Sequence, residues 1–291
     1  MPTDAKRKVG VSIARTMKSN RGVWSVWVCL SVLVPAAARS QGLDAKLWGT
    51  DGTITGIARS GNTIYIAGGF TLVGPNTGSF VPINRADGSL GASFAKVAGV
   101  VRTAVSDGAG GWFIGGYFVG VGALPRSGLA HVLADGRVSA WNPGQDGDVE
   151  ALALRGDTLY VGGSFTYVGG VPRNAIAALD ASSGRVLDWA PEADGTVRAL
   201  LVTDSALVVG GEFSHIGGKD RNSLAELDLV DGAATTFNPN VTIAGGPGSV
   251  RTLVKMGNIL YLGGLFAVVG DLFRLNVAAI NLTTAQTTDW D

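Results

Sequence analysis

The stretch at residues 162–180, GGSFTYVGGVPRNAIAALD, decides the fold because most of it is written again elsewhere in the chain. Its lead-in, LYVGGSF ending at Phe165, has counterparts in IYIAGGF ending at Phe70, WFIGGYF at Phe118, LVVGGEF at Phe213 and LYLGGLF at Phe266. The phenylalanines are 48, 47, 48 and 53 residues apart. Three residues after each stands Val73, Val121, Val168, Ile216 or Val269, always followed by glycine. Five residues further on stands an arginine, Arg126, Arg173, Arg221 or Arg274, with Gly78 in its place in the first copy. A last column is aromatic: Trp48, Phe94, Trp141, Trp189, Phe237 and Trp290. Self-similarity at a fixed period of this length is the mark of a repeat architecture.

Each copy divides into four short apolar segments, named here a to d; in the third copy they start at Val149, Leu159, Ile176 and Val186. The segments are too short for helices, are bounded by Gly, Pro, Asp and Asn, and carry no 3.6-residue stripe. Four strands in a repeat of this size make one propeller blade. The strands are apolar on both faces, as sheets covered on both sides require. The expected fold is therefore an all-β propeller of four-stranded blades, with five repeats at 49–94, 95–141, 142–189, 190–237 and 238–290. A parallel β-helix is the structural rival, but its coils are shorter and are not joined by hairpins. Segment 43–48 reads as a sixth d strand. Five copies of a, b and c beside six of d suggest a truncated larger propeller, with further sequence beyond Asp291. Such a chain would expose a blade face and be poorly soluble alone.

Outside the repeats, Lys6, Arg7, Lys8, Arg15, Lys18 and Arg21 precede an uncharged apolar run at 22–38 that ends in Ala36 and Ala38. This is the pattern of an export signal over 1–40, with Met17 the expected true start and a mature chain beginning near Gln41. A membrane anchor is the alternative, but the run is short for a span and holds Pro35. Cys29, the single cysteine, lies inside that run, so the mature chain uses neither disulfides nor a thiol nucleophile. A secreted, cell-surface or periplasmic location follows, with no membrane span in the mature chain.

The chain is 46% hydrophobic and 16% charged, which excludes disorder. Its 44 glycines in 291 residues, about twice the usual share, show no collagen triplet and point to many tight turns. Formal neutrality hides an asymmetry: 1–40 hold seven of 23 basic residues and one of 23 acidic ones, leaving 16 and 22 beyond. A mildly acidic body lacks the basic face that nucleic acid requires.

The GGxFtxvGG pattern, the arginine and the closing IAxLD, as they stand at 162–180, resemble the bacterial delta-60 β-propeller repeat. The resemblance covers essentially all of 43–291. It implies an extracytoplasmic propeller, often part of a longer surface or secreted protein, and carries no catalytic residues or cofactor with it. The first copy departs from the pattern at Gly78 and after Val73.

Candidate sites follow from propeller geometry. The b–c and d–a loops share one face, which also receives the insertion at 242–248 that widens the last spacing, so it is the candidate binding face. Strand a lines the axial channel, and its second position reads Thr55, Arg102, Glu150, Arg198 and Arg251. With Asp51, Asp146 and Asp194 from the preceding turns, these form a candidate ligand-binding ring at the channel mouth, for an anion, a sugar or a cation. Simple pairing between the arginines and the turn aspartates gives the same pattern. Arg126, Arg173, Arg221 and Arg274 are expected to hold loop carbonyls, and the phenylalanines at 70, 118, 165, 213 and 266, with Trp141, Trp189 and Trp290, to fill the space between blades. His131 and His215 have no second ligand at metal spacing, so no metal site is expected. Two functions compete: a non-catalytic exported propeller that binds a protein or glycan through its loop face, and a polysaccharide hydrolase or lyase. The second rests on Asp146, Asp148, Glu150, Glu192 and Asp194 supplying a carboxylate pair. A purely structural repeat in an envelope protein is a third reading.

Overall fold

The computed structural model describes residues 53–60, 63–69, 79–80 and 95–290, the first two segments by their backbone. The expected leader, the d strand at 43–48, Asp51, Phe70 and Phe94 lie outside the described residues.

Each repeat opens with an antiparallel hairpin of strands a and b. The pairs are Thr53–Ser60 with Thr63–Gly69, Val97–Ser106 with Trp112–Val121, Val149–Arg155 with Thr158–Gly163, Val197–Val202 with Ala206–Gly211, and Ser249–Met256 with Ile259–Leu265. In repeats two to five strand c follows, as Leu129–Val132, Ile176–Asp180, Leu224–Asp228 and Val277–Asn281, antiparallel to b. No helix occurs among the described residues. From the second repeat onward the a strands of consecutive repeats lie side by side. The chain is a β-propeller.

Alternation along each strand explains why both faces are apolar. On strand b of the third repeat, Leu159 and Val161 pack with Phe113, Leu129 and Trp141 of the second repeat. Tyr160 between them points the other way, into a cluster with Leu207, Val209 and Leu227 of the fourth. The same relation joins Val208, Leu224 and Phe237 to Leu260, Leu262 and Ile280 of the fifth repeat. The core is thus a set of layers between sheets, and among the described side chains the exposed apolar strand residues gather in the second repeat, at Val100, Trp112, Tyr117 and Val119, and in the fifth, at Val254, Met256 and Val277, with Trp290 exposed beside them.

Strand d is shorter than the sequence pattern suggests. It meets c at a single bridge in each of repeats two to five: Val132 with Val138, Leu179 with Val186, Leu227 with Ala234, Ile280 with Thr287. The cause is chemical. Leu187 donates its N–H to the Ala178 carbonyl at 2.9 Å, but the Leu187 carbonyl, which would continue the ladder, accepts from Arg173 Nη2 at 2.9 Å. Two residues past the aromatic position, Pro143, Pro191 and Pro239 then remove a donor.

Candidate functional site

The residue after the leading apolar one in the repeat pattern, wherever strand a itself begins, is in every copy a β-bulge. Register breaks between Ile54 and Gly56, Val101 and Thr103, Val149 and Ala151, Val197 and Ala199, and Val250 and Thr252. The residues skipped are Thr55, Arg102, Glu150, Arg198 and Arg251. A bulge leaves its extra residue out of the ladder and re-aims its side chain. The paired glycines opposite make the bulge possible. A Cβ on Gly163 would lie 2.0 Å from the Asp148 carbonyl oxygen, and one on Gly162 would lie 2.5 Å from Val197 Cγ1 of the next repeat. Gly115 and Gly116, Gly210 and Gly211, and Gly263 and Gly264 stand in the same relation to strand a of their own or the next repeat.

Four of the bulge residues, Arg102, Glu150, Arg198 and Arg251, line one cavity of about 510 Å³. Glu150, with its side chain 14% exposed, sits between two guanidiniums, 3.4 Å from Arg102 Nη1 and 3.8 Å from Arg198 Nη1. Arg102 also lies 3.6 Å from Asp148. Arg198 Nη2 donates to Glu212 Oε2 at 3.0 Å, and its Nε stands 2.8 Å from Oε1 as an ionic contact too poorly aligned for a hydrogen bond. Ser249 Oγ donates to Glu212 Oε1 at 2.8 Å and accepts from Arg251 Nε at 3.2 Å. The Arg198 guanidinium holds the Glu212 carboxyl below its usual range, against a burial effect that would raise it. The terminal nitrogens of Arg251 have no carboxylate partner among the described residues.

Asp146 and Asp194 are not brought to these guanidiniums. Asp146 accepts from the N–H groups of Thr166 and Tyr167, at 2.7 and 2.9 Å, and from the Thr166 hydroxyl. Asp194 does the same with Ser214, His215 and the Ser214 hydroxyl. Burial pushes both carboxyls up, but the hydroxyl and amide bonds outweigh it and leave both below the ordinary value. These aspartates tie the d–a loop to the residue after each phenylalanine. Glu192 accepts from the Asn174 N–H at 3.0 Å. Asp51 lies outside the described residues.

The arginine column repeats one geometry. In Arg126, Arg173, Arg221 and Arg274, Nη1 donates to the carbonyl of the preceding residue at 2.8, 2.8, 2.7 and 2.9 Å. Nη2 donates to a d-ribbon carbonyl, Ser139, Leu187, Thr235 or Thr288, at 2.7, 2.9, 2.6 and 3.0 Å. Phe118, Phe165, Phe213 and Phe266 are buried, as are Trp141 and Trp189, whereas Trp290 is 46% exposed.

On the loop face the fifth repeat differs from the others. In the third and fourth repeats the b–c loop is a two-residue ladder, Tyr167–Val168 with Val171–Pro172 and His215–Ile216 with Lys219–Asp220. One bridge joins each ladder to the d–a loop, at Gln145 or Ala193. In the fifth, the insertion folds into Val241–Ile243 and Gly246–Pro247 and joins Val268–Val269 and Leu272–Phe273 in a four-stranded sheet. The Ala267 N–H, which an aspartate would cap, donates instead to the Thr242 carbonyl at 2.9 Å. Leu265, Leu272, Phe273 and Leu275 stand exposed there. At the positions of Leu265 and Leu275 the third and fourth repeats carry Ser164 and Glu212, and Asn174 and Asn222.

A second cavity, about 350 Å³, opens between the third and fourth repeats beside Ser164, Thr166, Asn174 and Asp194. Its carboxylate is already committed to Ser214 and His215. Sequence reading missed Glu212 and Ser249 in the charged cluster. Glu212 occupies the variable position of GGxF, filled by Tyr117, Ser164 and Leu265 elsewhere, so only its charge could have marked it. Among the described residues no group of three His, Cys, Asp or Glu side chains could hold a metal ion, and no helix is long and apolar enough to cross a membrane.

Residues 157–183 and 204–234 match the family model described as a domain of unknown function (DUF5122) beta-propeller. Each match runs from the a–b turn of one repeat through strands b and c, the first ending in the c–d turn and the second at the opening residue of d, Ala234. No curated protein matches the chain. Among solved structures, the computationally designed Ika8 protein is 17% identical with a TM-score of 0.47, over 83% of this chain and 62% of its own. BamB from Moraxella catarrhalis is 18% identical with a TM-score of 0.47, over 80% of this chain and 62% of its own. The designed Ika4 protein is 19% identical with a TM-score of 0.31, over 50% and 72%. The chain therefore spans less than two thirds of the first two. The repeat it carries is a β-propeller repeat, on the strand pattern and the two family matches together.

Proposed function

We propose that the chain is an exported, non-catalytic β-propeller of the delta-60 type that binds a protein partner through its b–c and d–a loop face. One observation carries this reading: the insertion of the fifth repeat builds a four-stranded sheet whose neighbourhood exposes Leu265, Leu272, Phe273 and Leu275. A cluster of exposed leucines and a phenylalanine at a loop end is what a protein interface offers, and a glycan would need fewer leucines and more hydroxyl partners. The apolar run at 22–38 behind a basic segment supports export.

The hydrolase reading requires a carboxylic acid held neutral opposite a free carboxylate. Here Glu150 is flanked by two arginines, and Asp146 and Asp194 are held ionised by loop donors. That favours binding over catalysis.

The test places a photo-crosslinking amino acid at position 273 and, as control, at 230. Val230 is an 88% exposed residue on the opposite, c–d turn face. Irradiation of the producing cells is expected to give a discrete protein adduct from 273 alone, on a chain whose N-terminus is near Gln41. Equal adducts from both positions, or none from either, contradict the reading.

A further inference from the structure

We propose that the cavity lined by Arg102, Glu150, Arg198 and Arg251 is a ligand site for a polyhydroxylated carboxylate of uronic-acid type, with the Arg251 guanidinium as the carboxylate contact. The proposal concerns the bulge residues of strand a and does not depend on what the loops of the fifth repeat bind.

Three features point to it. First, the cluster already contains one solved case of the same recognition. Glu150 stands between Arg102 and Arg198, so the third repeat supplies its own carboxylate to the guanidiniums on either side. Between Arg198 and Arg251 no bulge carboxylate intervenes. Glu212 reaches in from the end of strand b and is consumed by Arg198 and Ser249. The result is an alternating row, Asp148, Arg102, Glu150, Arg198, Glu212, that ends on Arg251, whose charge is felt by Glu212 but whose guanidinium forms no direct ion pair among the described residues.

Second, Arg251 is held ready. Its Nε donates to Ser249 Oγ at 3.2 Å, and that hydroxyl is itself fixed on Glu212. The guanidinium keeps its terminal nitrogens for a bidentate partner, the geometry at which arginine and carboxylate match best. Counted with Asp148 and Glu212 behind it, the cluster is neutral, so attraction is local to this end and not a general basic field.

Third, the cavity selects by polarity. At about 510 Å³ it is of ligand-site size, and the described side chains that line it are all charged. A fatty or aromatic acid would find no apolar wall among them. Hydroxyl groups would find acceptors in Glu150 and donors in Arg102, which is 43% exposed. A sugar acid satisfies both ends, whether free or as the terminal unit of an acidic polysaccharide.

The experiment is titration calorimetry of the full chain with galacturonate, galactose, acetate and trigalacturonate, repeated with Arg251→Gln and with Lys255→Gln as a control. Lys255 lines a different cavity. Among the described residues Arg251 makes no ion pair within 4 Å, its charge acting only at longer range on Glu212, and thermal melting checks that the variant folds. Galacturonate is expected to bind at least about tenfold more tightly than galactose or acetate, and Arg251→Gln to lose at least about tenfold while Lys255→Gln loses nothing. Trigalacturonate binding more tightly than the monomer assigns the source to a polysaccharide, and equal binding assigns it to the free acid. Galactose binding as well as galacturonate, full affinity in folded Arg251→Gln, or no galacturonate binding at about 10 mM overturns the proposal.

Discussion

Arg173 shows how one side chain can stand in for a stretch of β-ladder. Its two terminal nitrogens bind the carbonyls of Pro172 and Leu187, one on each side of the gap between the b–c loop and the d ribbon. The spacing of the arginine column announces such a role, because a fixed register repeated in four copies suits the backbone better than a ligand. Glu212 and Ser249 gave no such signal, since neither recurs, and a side chain used once leaves no column to read. Asp194 occupies a middle case. Its turn was legible, but its partners were not, because they lie twenty residues downstream in the loop after Phe213. A carboxyl whose folded value lies below its unfolded one adds stability above the unfolded value, near 4, and loses it as pH falls through the folded value. Asp194→Asn is therefore expected to lower unfolding stability by about 1 kcal/mol at pH 7, and the gap should close as the pH is taken below about 4. Urea titrations at a series of pH values measure it; a gap that stays constant with pH would remove the charged carboxylate from the explanation.

At the scale of the element, the hairpin of strands a and b is where sequence and structure agree most closely. The paired glycines were legible as a demand for close approach. What they approach was not, because a bulge leaves no residue signature of its own. Gly163 faces the carbonyl before the bulge, and Gly162 faces the leading valine of the next repeat, so one dipeptide serves two different neighbours. Gly163→Ala is expected to cost about 2–3 kcal/mol, since its Cβ would meet backbone and not the movable end of a side chain. An unchanged urea midpoint for that variant would mean the bulge is not held as described. The d ribbon is the element the pattern overstated. Its apolar residues look like a full strand, yet the ladder stops once the arginine takes the next carbonyl.

At the scale of the whole molecule, the repeat period carried the fold. Strands buried on both faces need covering sheets on both sides, and the described repeats supply them to one another in order. The charged cavity was half legible. Its four lining residues share a position in the pattern, but the turn aspartates grouped with them serve the loops. The reason is that sequence spacing fixes where along a strand a residue lies, and not which way a bulge turns it. The d-ribbon aromatics test the stacked arrangement as a whole. Trp189 is 4% exposed, packed on Tyr160 at 5.1 Å between ring centres and covered by the fourth repeat. Trp290 meets Tyr261 at 5.4 Å in the same edge-on manner, but is 46% exposed. If each sheet is stabilised by the one that covers it, Trp189→Ala should lose about 3–5 kcal/mol of unfolding stability and Trp290→Ala about 1 kcal/mol or less. Equal losses from the two substitutions would contradict the stacking of consecutive blades on which the rest depends.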